Sequence, residues 1–314
     1  MVGNLILLAP EDYKFIEIYH LKMEGENIMF EKDDYKIKLV NNKGLELKGY
    51  YSKVSDKKCV VAFCGFGGNC DKAFCAIAEK CIENNISFLF GDTQGSYVRK
   101  ELKQYDSNGN YVMVEKGAFN EDFDECVKDL SEWVDFAQNE GYEEIYLLGA
   151  SIACNRIVNY LNNYDYPKTI KKVILECPQN LGPQLDPKML LEAEKLMSEN
   201  KPDVVLEDKF FGYCDVTAKT LYNMANNKEL DNLPHLTNGD FSMLKNIHLP
   251  IRVVIGSIDE GIVCYRNESV ESFMDILKKN SNDLNYVIIR DGKHNFKHKE
   301  NELAEAVIKY VLSK

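Results

Sequence analysis

The sequence of 314 residues predicts an α/β fold, with a mostly parallel sheet, helices on both faces and a helical insertion. Short apolar runs of strand length alternate with amphipathic helical patterns along most of the chain, which is typical of a parallel sheet covered on both faces. The alternation is interrupted between about residues 178 and 250, where helical patterns occur without a convincing buried strand. We therefore expect one core whose functional edge is covered by a helical cap.

The first predicted strands are antiparallel. Residues 35–40 and 45–51 are strand-like runs on either side of the turn sequence N-N-K-G at 41–44, as in a hairpin. The other predicted strands are short apolar runs at 59–64, 86–90, 145–148, 172–176, 251–255 and 286–289. Helical patterns lie between and after them, at 71–83, 119–140, 152–161, 270–279 and 300–312.

The predicted domain organisation has three parts. Residues 1–33 form an N-terminal extension of unclear role, residues 34–178 and 249–314 form the core, and residues 179–248 form the helical cap. Four aromatic residues of the cap either line a pocket or pack the cap onto the core: Phe210, Phe211, Tyr213 and Tyr222.

Composition and charge exclude several classes of protein. A net charge of −12 argues against non-specific binding to nucleic acid, which depends on Lys and Arg at phosphates. No apolar run approaches the roughly 20 residues that span a bilayer, and the short run at 5–10 has no basic segment before it. We expect a cytoplasmic protein that binds neither nucleic acid nor membrane. The composition leaves a homodimer open.

The ten cysteines predict reduced thiols and not a disulfide framework. They contain no C-x-x-C pair, and several lie within apolar strands or on helix faces. The spacings of six, five and six in the cluster Cys64, Cys70, Cys75 and Cys81 match no familiar zinc pattern.

The segment at 144–154 has the layout of a nucleophile elbow. An apolar strand ends at Gly149, and the chain passes through Ser151 into a helical pattern. In such a turn the serine hydroxyl projects above the sheet, and small residues are needed two positions before and after it. Gly149 and Ala153 meet that requirement. The alternative is that Ser151 only caps the helix.

A serine nucleophile needs a base, and the base needs a third group to orient it. His294 lies in the loop after the last predicted strand, on the same sheet edge as Ser151. His298, four residues later, is the chief rival, although we expect it to enter the last helix. Asp259 lies in a turn-rich loop past another buried strand, where it is either the orienting acid or a turn-forming residue, and Glu260 is a second contender.

The turn after the strand at 59–64 is a candidate oxyanion hole. It reads C-G-F-G-G-N at 64–69, and three glycines within four residues allow the backbone to approach a substrate oxygen. A phosphate-binding loop is the alternative, but neither G-x-x-x-x-G-K-[ST] nor G-x-G-x-x-G occurs at this turn.

Together these motifs resemble the α/β-hydrolase superfamily. The C-G-F-G-G turn, the G-A-S-I-A elbow, the G-S-I-D loop and the D-G-K-H loop carry the resemblance, which covers most of residues 35–314. It implies an α/β-hydrolase fold and an oxyanion hole formed by the backbone N–H groups of Phe66 and Ile152. The acidic helix before the elbow and the E-A-E-K segment at 192–195 also resemble a poorly characterised branch that includes siderophore-ester hydrolases.

Four positions depart from the pattern of the superfamily. They suggest an altered substrate site, and they keep open a degenerate or repurposed one: Cys64, Ala150, Ala153 and Gln94.

The expected function is hydrolysis of a carboxylic ester, a thioester or an activated amide through an acyl-Ser151 intermediate, with His294 as base and Asp259 as orienting acid. The substrate would be a small acyl compound, and no metal or organic cofactor is required. Acyl transfer through the same intermediate is one alternative. The other is a catalytically inactive member of the fold that binds a small molecule.

Overall fold

The computed structural model describes residues 35–179, 185–234, 239–266 and 269–313, together with two short strands at 6–7 and 16–20. Most of the predicted N-terminal extension at 1–33 lies outside the described residues, as does His235, one of the five histidines of the sequence.

Within these residues, ten strands form one sheet and two more form a separate hairpin. The strands are β1 (Ile6–Leu7), β2 (Ile16–His20), β3 (Tyr35–Val40), β4 (Glu46–Ser52), β5 (Lys58–Phe63), β6 (Ser87–Gly91), β7 (Lys100–Tyr105), β8 (Tyr111–Lys116), β9 (Glu144–Ala150), β10 (Ile170–Glu176), β11 (Ile251–Gly256) and β12 (Leu284–Ile289). The order in the large sheet is β1-β2-β3-β4-β6-β5-β9-β10-β11-β12. The strands from β6 to β12 in that order are parallel, and β1 to β4 add to one edge in antiparallel fashion.

Helices follow most of the parallel strands, as the alternating sequence pattern predicts. They are α1 (Lys72–Glu83), α2 (Phe123–Asn139), α3 (Ile152–Asn163), α4 (Pro187–Ser198), α5 (Ala218–Asn226), α6 (Ser242–Asn246), α7 (Glu260–Arg266), α8 (Val270–Lys279) and α9 (Glu300–Leu312). None of the described helices combines the length and the apolar composition that crossing a bilayer requires.

Helix α2 shows how local sequence and packing cooperate. It begins after Asp122, whose carboxylate accepts a hydrogen bond from the Glu125 backbone N–H, and its apolar face covers the sheet. Trp133 on that face is fully buried and donates its indole N–H to the Asp92 carbonyl at 2.7 Å. A Cβ at Gly91 would lie 2.5 Å from the Trp133 ring, so only glycine lets the helix approach strand β6 this closely.

The hairpin β7–β8 is absent from the sequence-based prediction. Its first strand reads K-E-L-K-Q-Y, in which Leu102 is the one buried residue, and its second strand exposes Tyr111, Val112 and Met113. Because neither strand alternates apolar and polar residues toward a core, the periodic signal of a strand is missing here.

The parallel strands bring distant loops to one edge of the sheet. The carboxyl ends of β5, β9, β10, β11 and β12 are adjacent, because β5 pairs with β9 and each later strand pairs with the next. The parallel pairing of β5 with β9 in one sheet confirms the central element of the predicted fold. Helices α4, α5 and α6 lie between β10 and β11 in the chain, where a helical cap is predicted.

Candidate active site

Ser151 occupies the sharp turn between β9 and α3. Its backbone has φ 55° and ψ −125°, a left-handed conformation that non-glycine residues rarely adopt. Although Ser151 stands at the N-cap position, its hydroxyl makes no capping hydrogen bond. A Cβ at Gly149 would lie 2.8 Å from the backbone of Ala153, which accounts for the small residue two positions before the serine. The conformation is that of an elbow and not of an ordinary serine cap.

His294 and Asp259 form a close pair at the same edge of the sheet. The Nδ1 atom of His294 lies 3.1 Å from each carboxylate oxygen of Asp259. Asp259 is fully buried, whereas the His294 side chain is 33% exposed. The carboxylate also accepts the Gly261 backbone N–H at 2.8 Å. Asp259 is therefore both the partner of the histidine and the residue that shapes its own turn.

Burial and charge act in opposite directions on this pair. Burial alone would lower the pKa of His294, but the adjacent Asp259 carboxylate outweighs it, so the pKa is raised. Burial alone would raise the pKa of Asp259, yet His294 and the hydrogen bonds to the carboxylate hold it below the usual value. The structure therefore favours an ionised Asp259 beside an imidazole that accepts a proton readily.

Two further side chains hold the histidine loop in place. Glu260 accepts the backbone N–H of His294 at 2.9 Å, so this rival acid supports the loop while Asp259 contacts the ring. The carboxamide nitrogen of Gln179 lies 3.3 Å from His294 Nδ1 and 3.4 Å from Asp259 Oδ1. A Cβ at Gly261 would lie 2.1 Å from that nitrogen, so a glycine makes room for Gln179.

Ser151 and His294 line the same cavity, which has a volume of about 520 Å³. Its wall comes from the turn after β5, the start of α1, the ends of β9 and β10, the cap, and the loops after β11 and β12. Besides Ser151 and His294, the lining residues are Cys64, Gly65, Phe66, Gly68, Asn69, Asp71, Phe74, Ala150, Glu176, Gln179, Phe211, Tyr213, Glu260, Gly261 and Asn295.

The glycine-rich turn lies directly against the serine. A Cβ at Gly65 would lie 2.7 Å from the Cβ of Ser151, so only a glycine allows this approach. Phe66 follows Gly65 in the cavity wall, and Ile152 is the first residue of α3, whose N–H has no partner within the helix. The two backbone amides suggested by the family resemblance thus belong to segments that meet at Ser151.

A buried ion pair lies behind the turn. Arg156 of α3 and Glu121 are paired, and both side chains are fully buried. Arg156 also donates a hydrogen bond to the carbonyl oxygen of Cys64 at 3.3 Å, one residue before Gly65. The elbow helix therefore holds the backbone of the glycine-rich turn through a buried guanidinium.

Several residues of the site have no signal in the sequence motifs. These residues make hydrogen bonds to partners that lie 22 to 115 positions away in the chain. They are Glu176, Gln179, Arg156 and Glu121. Only Glu176 could have been noticed, because it is a carboxylic acid at the end of an apolar strand on the functional edge.

Of the other histidines, the rival His298 and also His248 lie outside the cavity wall. His298 precedes the cap residue of α9 in a left-handed turn and does not line the cavity. The side chain of His248 lies 3.3 Å from the amide of Asn282, also away from the cavity. For His20 only the backbone is described.

The four cap aromatics divide between the two predicted roles. Phe211 and Tyr213 line the cavity. Phe210 is buried and packs edge-on against Phe66, with ring centres 5.5 Å apart, while Tyr222 is partly buried against the core.

The structure shows the contacts of two of the four residues that differ from the superfamily pattern. Gln94 donates its backbone and side-chain N–H groups to Asp129, at 2.7 and 3.2 Å, so it supports the loop after β6 and not the cavity. Cys64 lines the cavity, but burial raises the pKa of its thiol to about 12, which keeps the thiol protonated. Neither residue removes a group that the predicted chemistry needs.

Cys177, Asp259 and His294 could offer three metal ligands, with ligand atoms within 4.8 Å of one another. Burial raises the pKa of the Cys177 thiol well above its usual value, which opposes the thiolate that metals prefer. Asp259 and His294 already bind each other, so the donor set suits a proton relay better than a metal site.

Comparisons with known proteins agree with this topology. No protein-family model matches the sequence, and no curated protein sequence matches it significantly. Among solved structures, Est1E from Butyrivibrio proteoclasticus matches 90% of this chain and 98% of its own at 16% identity, with a TM-score of 0.60. The α/β hydrolase GrgF from Penicillium sp. sh18 matches 89% and 97% at 13% identity, with a TM-score of 0.64. The mouse α/β-hydrolase domain-containing protein 10 matches 88% and 96% at 15% identity, with a TM-score of 0.57.

At these identities the likeness concerns the fold, and the narrower resemblance to siderophore-ester hydrolases stays a prediction. The strand order and the solved structures together show that the chain has the fold of the α/β-hydrolase superfamily.

Proposed function

We propose that this protein is a serine hydrolase that cleaves a carboxylic ester, or a thioester or activated amide, through an acyl-Ser151 intermediate. One observation carries the proposal. The hydroxyl of Ser151 is not used as a helix cap and lines the same cavity as His294, whose Nδ1 is paired with buried Asp259.

In the proposed acylation step, His294 Nε2 takes the proton of the Ser151 hydroxyl while the serine oxygen attacks the substrate carbonyl. Asp259 keeps the proton of His294 on Nδ1 and stabilises the imidazolium that forms. The imidazolium then gives its proton to the leaving oxygen, which departs as an alcohol. Water attacks the acyl-enzyme with His294 as base, and the acid and free Ser151 are released.

The negative charge on the carbonyl oxygen would be stabilised by the N–H groups of Phe66 and Ile152. Such donors act strongly where the surroundings are preorganised and exclude water. The contact of Gly65 with Ser151 and the hydrogen bond from Arg156 to the Cys64 carbonyl support this role, since both hold the turn at the elbow.

Hydrolysis of short-chain 4-nitrophenyl esters by the purified protein tests the proposal. Ser151→Ala should lower kcat by several orders of magnitude, because the nucleophile is lost. Ser198→Ala, which removes an exposed hydroxyl on α4, is the matched control and should retain wild-type turnover. Turnover by Ser151→Ala within tenfold of wild type would overturn the proposal.

A further inference from the structure

The active-site cavity contains a carboxyl group that the proposed triad does not use. Glu176 is the last residue of β10, lines the cavity and is 4% exposed. It pairs with Ala150 of β9, and its backbone carbonyl accepts the N–H of Ser151 at 2.8 Å. Glu176 is therefore the immediate neighbour of the nucleophile across the sheet.

One oxygen of this carboxyl, Oε2, is buried without a hydrogen-bond partner among the described residues. A buried polar atom in that state costs free energy, so such atoms usually have partners. In a cavity wall, a bound ligand can be that partner.

The surroundings of Glu176 are acidic. Three carboxyl groups line the cavity, those of Asp71, Glu176 and Glu260, and none of the described lining residues is Lys or Arg. Glu260 already accepts the N–H of His294 and lies 3.7 Å from the ammonium of Lys293. Asp71 caps helix α1 and lines the same cavity, and its negative charge acts on Glu176.

This environment opposes ionisation of Glu176. Burial, followed by the negative charges of Asp71 and Asp259, raises the pKa of Glu176 to about 8. The other titratable groups that interact with it are the thiols of Cys154 and Cys177, which burial keeps protonated. A positive charge bound beside Glu176 would remove the penalty by favouring the carboxylate.

We infer that Glu176 and Asp71 form a subsite for a primary ammonium group on the acyl part of the substrate, two or three carbons from the scissile carbonyl. The inference rests on the proposed function, because the acyl carbon is placed by its bond to Ser151. A short acyl chain reaches Glu176, since paired strands lie only about 5 Å apart. Both the unpartnered oxygen and the acidic lining match an ammonium, whereas a hydroxyl would leave the excess of carboxyl groups without a counter-charge.

Two isosteric esters test this subsite, the 4-nitrophenyl esters of 3-aminopropanoic acid and of butanoic acid, which differ by NH₃⁺ in place of CH₃. We compare kcat/KM for the two, each divided by its uncatalysed rate. The wild type should prefer the ammonium ester by about tenfold or more, the size expected of a charge-assisted hydrogen bond. Glu176→Gln should remove most of this preference. Glu194→Gln, which removes an exposed charge on α4, should keep it.

The pH dependence supplies a second readout. Ammonium binding converts Glu176 to the carboxylate, so the preference should rise between pH 6 and 8, by up to about tenfold per unit. His294 affects both esters equally and cancels in the ratio. In Glu176→Gln the change of the ratio between pH 6 and 8 should be much smaller, because Asp71, whose pKa burial also raises, is the one subsite carboxyl group left to titrate. If Glu176→Gln does not fold, Asp71→Asn is the second variant, because asparagine still caps α1.

The outcomes separate this inference from the proposed function. Hydrolysis of both esters with no preference for the ammonium ester, or a preference that survives Glu176→Gln, overturns the subsite and leaves the serine hydrolase intact. If neither ester is cleaved, 3-aminopropanamide and butanamide binding are compared by calorimetry. Tighter binding of the ammonium compound with release of close to one proton at pH 7 supports the subsite, and equal binding overturns it.

Discussion

The Nδ1 atom of His294 is equidistant, at 3.1 Å, from the two carboxylate oxygens of Asp259. The two residues come from loops after neighbouring parallel strands, and the pairing of β11 with β12 sets their separation. Asp259 is fully buried and the His294 side chain is 33% exposed. The carboxylate therefore holds the ring from the protein interior, and the other ring nitrogen remains available to the cavity.

Replacing this carboxylate should disable the base. For Asp259→Asn we expect kcat to fall by about 10³- to 10⁴-fold, because the amide holds the wrong tautomer of His294 and no longer stabilises its protonated form. Ester hydrolysis measures the effect. Asp291→Asn, an exposed substitution in the histidine loop, is the control and should retain activity. Near-normal turnover of Asp259→Asn would show that another group orients the histidine.

The acid side of the pH–rate profile should report His294. Catalysis needs the neutral imidazole, so activity should fall as the pH drops through its pKa, which Asp259 raises above the ordinary value. In Asp259→Asn that midpoint should move to lower pH, since the charge that raises the pKa is gone. A midpoint that stays in place would assign this limb of the profile to a different group.

The pair of Arg156 and Glu121 should matter greatly for stability. Either Arg156→Met or Glu121→Gln leaves a buried group without its partner, and we expect a loss of about 3 to 5 kcal/mol in the free energy of unfolding. Urea unfolding measures it. The double variant should lose less than the sum of the two single variants.

Lys188→Met is the control for that experiment, because it breaks an exposed pair with Asp208 and should cost less than about 1 kcal/mol. A small loss in Arg156→Met, similar to that of the control, would contradict the role assigned to the buried pair.

Gly65→Ala should impair catalysis more than folding. The new Cβ would lie 2.7 Å from that of Ser151, so the glycine-rich turn and the elbow must separate. We expect kcat/KM to fall about 10²-fold, the usual effect of losing one oxyanion donor. Gly68→Ala, in the same turn, meets its nearest atom at 3.1 Å and should have a smaller effect. Equal effects of the two substitutions would contradict this account of the turn.

The candidate catalytic residues could be proposed from the sequence because each lies in a local pattern. Ser151, Asp259 and His294 stand within a few residues of apolar strands, and the parallel order of those strands brings their loops to one edge. The same locality explains the predicted hairpin of β3 and β4 and most of the helices.

The rest of the site depends on contacts between distant segments. Gln179 lies beside His294 only because β10 and β12 flank β11, and Arg156 reaches Cys64 only through the packing of α3. For a similar reason, the sequence could not tell which cap aromatics line the cavity and which pack against the core, because their spacing in the sequence is compatible with both. Cytoplasmic localisation, the homodimer and the exact cap boundaries stay predictions.

The most direct test of the central claim is labelling with a fluorophosphonate, which reacts with an activated serine and not with an ordinary one. Intact-mass spectrometry of the labelled protein should detect a single adduct, and peptide mapping should place it on Ser151. His294→Ala should abolish it, while Ser198→Ala should not. An unlabelled wild type under conditions that label a control hydrolase, or an adduct on another serine, would contradict the assignment of Ser151 as the nucleophile.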